Sequence, residues 1–105
     1  MEPLLVHSLD ELETFLASHE TKAIYISQEN CSVCHALWPQ VHPLFEQASI
    51  PLAKVDATQV KEIAGKFLVF TVPTIIVLKG DREEIRESRF IQVAKLAEDL
   101  RRLSK

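Results

Sequence analysis

The feature that most limits what this chain can fold into is the alternation of two hydrophobic periods along 105 residues. Short runs rich in β-branched and aromatic residues are separated by stretches in which apolar residues recur every three or four positions, so strands and helices must take turns. Lys22 to Ser27 (KAIYIS), Leu52 to Val55 and Thr74 to Leu78 are strand runs, and a shorter one opens the chain at Leu4 to Val6. Leu9, Leu12, Phe15 and Leu16 give a first helical stripe over about residues 9–19, with Ser8 and Glu11 at capping-box spacing. From Cys31 onward, Val33, Leu37, Val41, Leu44, Phe45 and Ala48 repeat with a helical period to about residue 48. Pro39 falls inside that helix, where its ring and missing N–H should bend the axis.

Asp56 to Ala64 reads as a short helix stopped by Gly65. Gly80 turns the chain into a more polar strand, Arg82 to Ser88, and Phe90, Val93, Leu96, Ala97, Leu100 and Leu103 read as the inner face of a last helix. The order is β-α-β-α-β-α-β-β-α. Alternation in the first half implies parallel crossovers, and the tight turn at Gly80 implies an antiparallel pair at the end. The expected fold class is α/β: one domain over residues 1–105, with a mixed central sheet of about five strands flanked by four helices.

Composition removes several classes of function. The formal net charge of −3 opposes a basic nucleic-acid footprint. With only two glycines, neither the GxGxxG nor the P-loop phosphate cradle can be built. The longest apolar stretch, Phe67 to Leu78, is broken by Thr71, Pro73 and Thr74 and falls short of the ~18 residues needed to cross a bilayer. Glu2, Asp10, Glu11 and Glu13 stand where a secretory signal would need a basic start and an apolar run. These features predict a cytoplasmic monomer with no membrane or nucleic-acid partner. In a reducing compartment, two closely spaced cysteines are catalytic or metal-binding in preference to a structural staple.

Cys31 and Cys34 follow the KAIYIS strand and the polar segment Gln28-Glu29-Asn30, at the point where the helical period begins. A cysteine at a helix N-terminus meets unpaired backbone N–H groups and the positive end of the helix dipole, both of which favour the thiolate. Lowering a thiol pKa from ~8.5 to ~7 requires about 2 kcal/mol of preferential anion stabilisation. Three residues are nearly one helical turn, which can bring the second sulfur within disulfide reach of the first. Cys31 is then the exposed attacking thiol and Cys34 the shielded resolving one.

Cys31-Ser32-Val33-Cys34 after a strand, Pro39 five residues past the second cysteine, and Val72-Pro73-Thr74 opening a later strand together resemble the thioredoxin-like family over nearly the full chain. The resemblance implies a thioredoxin-like fold and thiol–disulfide exchange without a cofactor. It implies a cis bond before Pro73, with Pro73 packed against the cysteine pair. It also implies that the main chain of Val72 holds an extended substrate segment, and Trp38 is a further candidate for the substrate surface. The implied partners are a disulfide-containing protein or a mixed disulfide with a small thiol, and an unidentified electron donor. Five positions depart from the thioredoxin pattern. Ser32-Val33 replaces Gly-Pro, Asn30 replaces a tryptophan, and Tyr25 with Leu52 replaces a buried aspartate and lysine, which implies that the internal proton relay is absent.

Other readings of the same residues are a non-catalytic binding module of this fold and a zinc-stabilised module. Cys31, Cys34, His35 and His42 could supply the zinc ligands. CSVCH also matches the attachment pattern of c-type haem, which usually also needs export and a second axial ligand, and the only methionine is Met1.

Overall fold

The computed structural model describes residues 2–104. Its elements are β1 (Leu4–Val6), α1 (Leu9–Ser18), β2 (Thr21–Ser27), α2 (Ser32–Gln47), β3 (Leu52–Asp56), α3 (Glu62–Phe67), β4 (Thr74–Lys79), β5 (Arg82–Ser88) and α4 (Val93–Leu103). The five strands form one sheet in the order β1-β3-β2-β4-β5. β3 runs parallel to both β1 and β2, whereas β4 is antiparallel to β2 and to β5. The mixed sheet and four helices are those the alternating periods predict.

β2 is the central strand, and Lys22 through Ser27 are all buried. Successive side chains of a strand point to opposite faces, and here both faces are covered, which is why KAIYIS shows almost no polar alternation. Ile24 and Ile26 join Leu12, Phe15, Val60 and Ile63 in one apolar cluster, with α1 and α3. Ala23 and Tyr25 join Leu37, Val41, Phe45, Leu96 and Leu100 in the other, with α2 and α4. The sheet divides the core into two layers.

Local signals set the helix ends. The Ser8 side chain accepts from the backbone N–H of Glu11, capping α1. The Glu11 carboxylate reaches back one residue beyond the cap, accepting from His7 N at 2.8 Å, so the capping box is shifted. α2 continues through Pro39 and through Pro43, four residues later. β5 forms the outer edge and is largely polar, with Arg86 bonded to Glu83 and to the Phe67 carbonyl.

Three details differ from the sequence reading. Gly65 does not stop the third helix. It lies inside α3, which begins at Glu62 after a turn following Asp56 and ends at Leu68 in the left-handed conformation, φ 54°. Phe90 is not on the inner face of the last helix, since α4 begins at Val93 and Phe90 is 87% exposed in the preceding loop. Val33 matches the period of the α2 stripe, yet it is 58% exposed, and in the first turn of α2 it is Cys34, not Val33, that turns inward and is buried.

Candidate active site

The β2–β3 ladder ends at the pair Ser27 and Asp56. Residues 28–30 then turn the chain, with Cys31 N donating to Gln28 O at 3.2 Å. Cys31 is the N-cap of α2, in an extended conformation, and its side chain takes the part that a serine or aspartate oxygen usually plays. The backbone N–H of Cys34 donates to Cys31 Sγ at 3.1 Å, and His35 N donates to Cys31 O at 3.2 Å. A sulfur in that position faces the positive end of a 16-residue helix.

Cys31 and Cys34 form a disulfide with Cα atoms 5.3 Å apart. The two sulfurs are not equivalent to solvent: Cys31 is partly exposed and Cys34 is buried in the first turn of α2. The imidazoles lie elsewhere. His35 Nε2 is directed at the Glu29 carbonyl, and the His42 ring lies against Trp38, centroids 5.1 Å apart. Among the described residues, no three His, Cys, Asp or Glu side chains are gathered as metal ligands. The four residues proposed for zinc are therefore not brought together.

Val72 and Pro73 precede β4 and are joined by a cis peptide bond. Both ladders of β4 begin at Thr74, which pairs with Ile26 on one side and Ser88 on the other, so Val72 lies outside both. The register sets this segment beside the end of β2, from which the cysteine loop departs. Three bonds hold it: Thr74 Oγ1 donates to Thr71 O at 2.8 Å, the Thr74 and Ser88 hydroxyls are 3.1 Å apart, and Arg89 N donates to Pro73 O at 2.9 Å. An open groove of about 210 Å³ runs along it, lined by Gln28, Ile63, Phe70, Thr71 and Val72 among others.

Trp38 lies on α2, one turn past Cys34. Its indole contacts the Tyr25 ring at 5.0 Å, and the Lys54 ammonium sits 4.6 Å from its centroid. It packs against the α2/α4 layer, whereas Val72 packs against the α1/α3 layer. The structure therefore brings Cys31, Cys34 and Trp38 together on one helix and sets Val72 and Pro73 on a separate segment.

Tyr25 is fully buried behind the cysteine turn, in the same apolar cluster as Leu52. Its hydroxyl donates to the Cys34 carbonyl at 2.6 Å. Burial pushes the phenol pKa up to about 12, so at neutral pH it stays protonated and acts as a donor. Sequence reasoning noted Tyr25 as a substitution but missed this bond; it also missed Thr74 as the anchor of the Val72 segment. The Val-Pro-Thr triplet carried a signal for Thr74, because threonine hydroxyls readily bond nearby backbone carbonyls.

The Thioredoxin family model matches residues 4–102. The chain belongs to the thioredoxin family. It is 39% identical over 99 residues to the thioredoxin-like protein YdfQ of Bacillus subtilis, covering 93% of this chain and 88% of that one. A prophage-derived thioredoxin-like protein of the same organism, YosR, is 34% identical over 82 residues, 78% of this chain and 98% of its own. Among solved structures, a mutant thioredoxin from Halobacterium salinarum superposes with a TM-score of 0.88 at 22% identity, covering 99% of this chain and 92% of the other; at that identity the likeness speaks for the fold. Fasciola hepatica thioredoxin matches with a TM-score of 0.82 at 25% identity, covering 94% and 97%. A thioredoxin-family domain whose Cys-x-x-Cys pair closes a disulfide at a helix tip is a thiol–disulfide oxidoreductase. No helix among the described residues is long and apolar enough to cross a membrane.

Proposed function

We propose that this thioredoxin-family protein reduces disulfides in proteins, or mixed disulfides with a small thiol, with Cys31 as nucleophile and Cys34 as resolving thiol. One observation carries the assignment: the partly exposed Cys31 sulfur receives the Cys34 N–H at the tip of α2, while the Cys34 sulfur is buried. Hydrogen bonding to a sulfur favours its anion, and access decides which anion meets a substrate.

The cycle begins with the Cys31 thiolate attacking one sulfur of the substrate disulfide. A Cys31–substrate bond forms, and the other substrate sulfur leaves as a thiolate. The Cys34 thiolate then attacks Cys31 Sγ, expelling the second substrate thiolate and closing the internal disulfide. Two electrons have passed to the substrate, and an external dithiol or small thiol returns them. Val72 and Pro73 present the substrate segment: with Val72 outside both ladders, its main-chain N–H and C=O are available to an extended peptide. Trp38, one turn past Cys34 on α2 with its ring against Tyr25, is the further candidate for the substrate surface. The setting is a reducing compartment such as the cytoplasm, where the released thiols stay reduced.

Insulin reduction with dithiothreitol as donor tests the reading. Cys31→Ser should fall to the uncatalysed rate, and Cys34→Ser should accumulate a covalent mixed disulfide visible by non-reducing electrophoresis. Equal activity in the two variants overturns the assigned roles. A folded wild-type chain that exchanges no disulfide at all points to a binding module of the same fold.

A further inference from the structure

We infer that Tyr25 is a positioning residue for Cys31: by anchoring the Cys34 carbonyl from the central strand beneath α2, its hydroxyl holds the Cys34 N–H on the Cys31 sulfur. The inference deepens the redox reading of the cysteine pair and rests on it.

Cys34 is held at both ends of its backbone. Its N–H donates to Cys31 Sγ at 3.1 Å, and its carbonyl accepts from Tyr25 Oη at 2.6 Å. The first bond stabilises charge on the attacking sulfur; the second fixes where the donor of the first must lie. The anchor is rigid, and it meets the helix where rigidity is most needed. Tyr25 is on the central strand with no solvent exposure, paired to Lys54 of β3 and to Ile75 of β4, and its ring is backed by Trp38. The carbonyl it meets is in the first turn of α2, where a helix otherwise frays most readily.

A phenol suits this task in a way that a carboxylate at the same place would not. A carboxylate charged at neutral pH would accept hydrogen bonds and repel a carbonyl oxygen, whereas a protonated phenol donates to it. Tyr25 therefore cannot take a proton from Cys34 at neutral pH, and its contribution is geometric. The buried polar group is satisfied, which locks the turn instead of straining it.

Tyr25→Phe keeps the ring against Trp38 and removes only the O–H. The test is the rate of Cys31 alkylation by iodoacetamide at pH 7 in the reduced protein, which needs no substrate and so is independent of disulfide turnover. We expect Tyr25→Phe to slow alkylation of the folded protein three- to tenfold, with urea-unfolded wild type and variant reacting equally. A purely structural role would lower the melting temperature and leave the folded-state rate unchanged, and that result overturns the inference. The unaltered chain supplies a second measurement that does not depend on the variant folding. With ¹⁵N in its two cysteines, the Cys34 amide proton should shift as Cys31 ionises, and a Cys34 amide indifferent to that ionisation overturns the inference as well. If the wild type fails to reduce insulin while Tyr25→Phe still slows alkylation, the reductase reading falls and the positioning role stands. If insulin is reduced and alkylation is unaffected by Tyr25→Phe, the positioning role alone falls.

Discussion

At the end of β3, Asp56 folds its carboxylate back onto its own turn, accepting from Thr58 N at 2.7 Å and Thr58 Oγ1 at 2.5 Å. Partial burial pushes this carboxyl up, but the bonds from the Thr58 side chain and backbone, and from the Glu29 and Gln59 backbones, outweigh it and bring it below its ordinary value. A carboxyl lowered on folding adds stability that is present above its unfolded pKa of ~3.9 and lost as pH falls through the folded value. Asp56→Ala should cost about 1 kcal/mol in urea denaturation at pH 7, at the low end for bonds to a charged group because water reaches the site. The deficit should shrink below pH ~4, as the wild-type carboxyl protonates. Because Glu29 belongs to the cysteine loop, the same variant should also loosen that loop, read as faster hydrogen exchange at Cys31. The cysteines themselves were legible in the sequence, since spacing and the onset of a helical period name them. The partners of Asp56 and Tyr25 were not. Thr58 is local, but Glu29 and the Cys34 carbonyl come into reach only when β2 and β3 pair and α2 docks.

The secondary elements were legible wherever one period ran unbroken, as in α1, β2, α2 and β4. They blurred at α3, where six residues give too little period to place the ends and glycine suggested a stop. The real stop is Leu68, which adopts a positive φ that L-residues with a Cβ occupy at a cost of about 1 kcal/mol. Its side chain is 66% exposed and gives little back through burial. Leu68→Gly should therefore raise stability by roughly 0.5–1 kcal/mol. Gly65→Ala should do so by a similar amount, because Gly65 is helical and a Cβ there meets nothing within 4 Å. Chemical denaturation of each single variant checks both, and a loss of stability in Gly65→Ala would show that α3 needs glycine for a reason beyond its backbone. Val33 and Phe90 belong to the same lesson at the ends of α2 and α4. Periodicity reports where a side chain points, but only the neighbouring layer decides whether anything is there to receive it.

Across the whole molecule, the sheet separates two apolar layers that share no side chain. Leu12→Ala and Leu100→Ala, one in each layer and both fully buried, should each cost about 2–5 kcal/mol. In the double variant their costs should add within about 0.5 kcal/mol, since no partner is common to the two sites. A coupling larger than that would mean the layers communicate through β2. The fold class and the mixed sheet were legible from element order, but the order β1-β3-β2-β4-β5 also required the handedness of the crossovers and the packing of helices on both sides. Its outcome is that the strand leading to Cys31 is the innermost of the five. Amides of Ile24 and Ile26 should then be among the slowest to exchange, at the limit set by global unfolding. The nucleophile proposed above thus rides on the stiffest beam of the building. If Cys31 attacks as proposed, it cannot lean toward a poorly placed target, so the burden of adjustment falls on the incoming disulfide, and under that proposal bridges in loose or unravelled chain should be exchanged before those locked in tight domains.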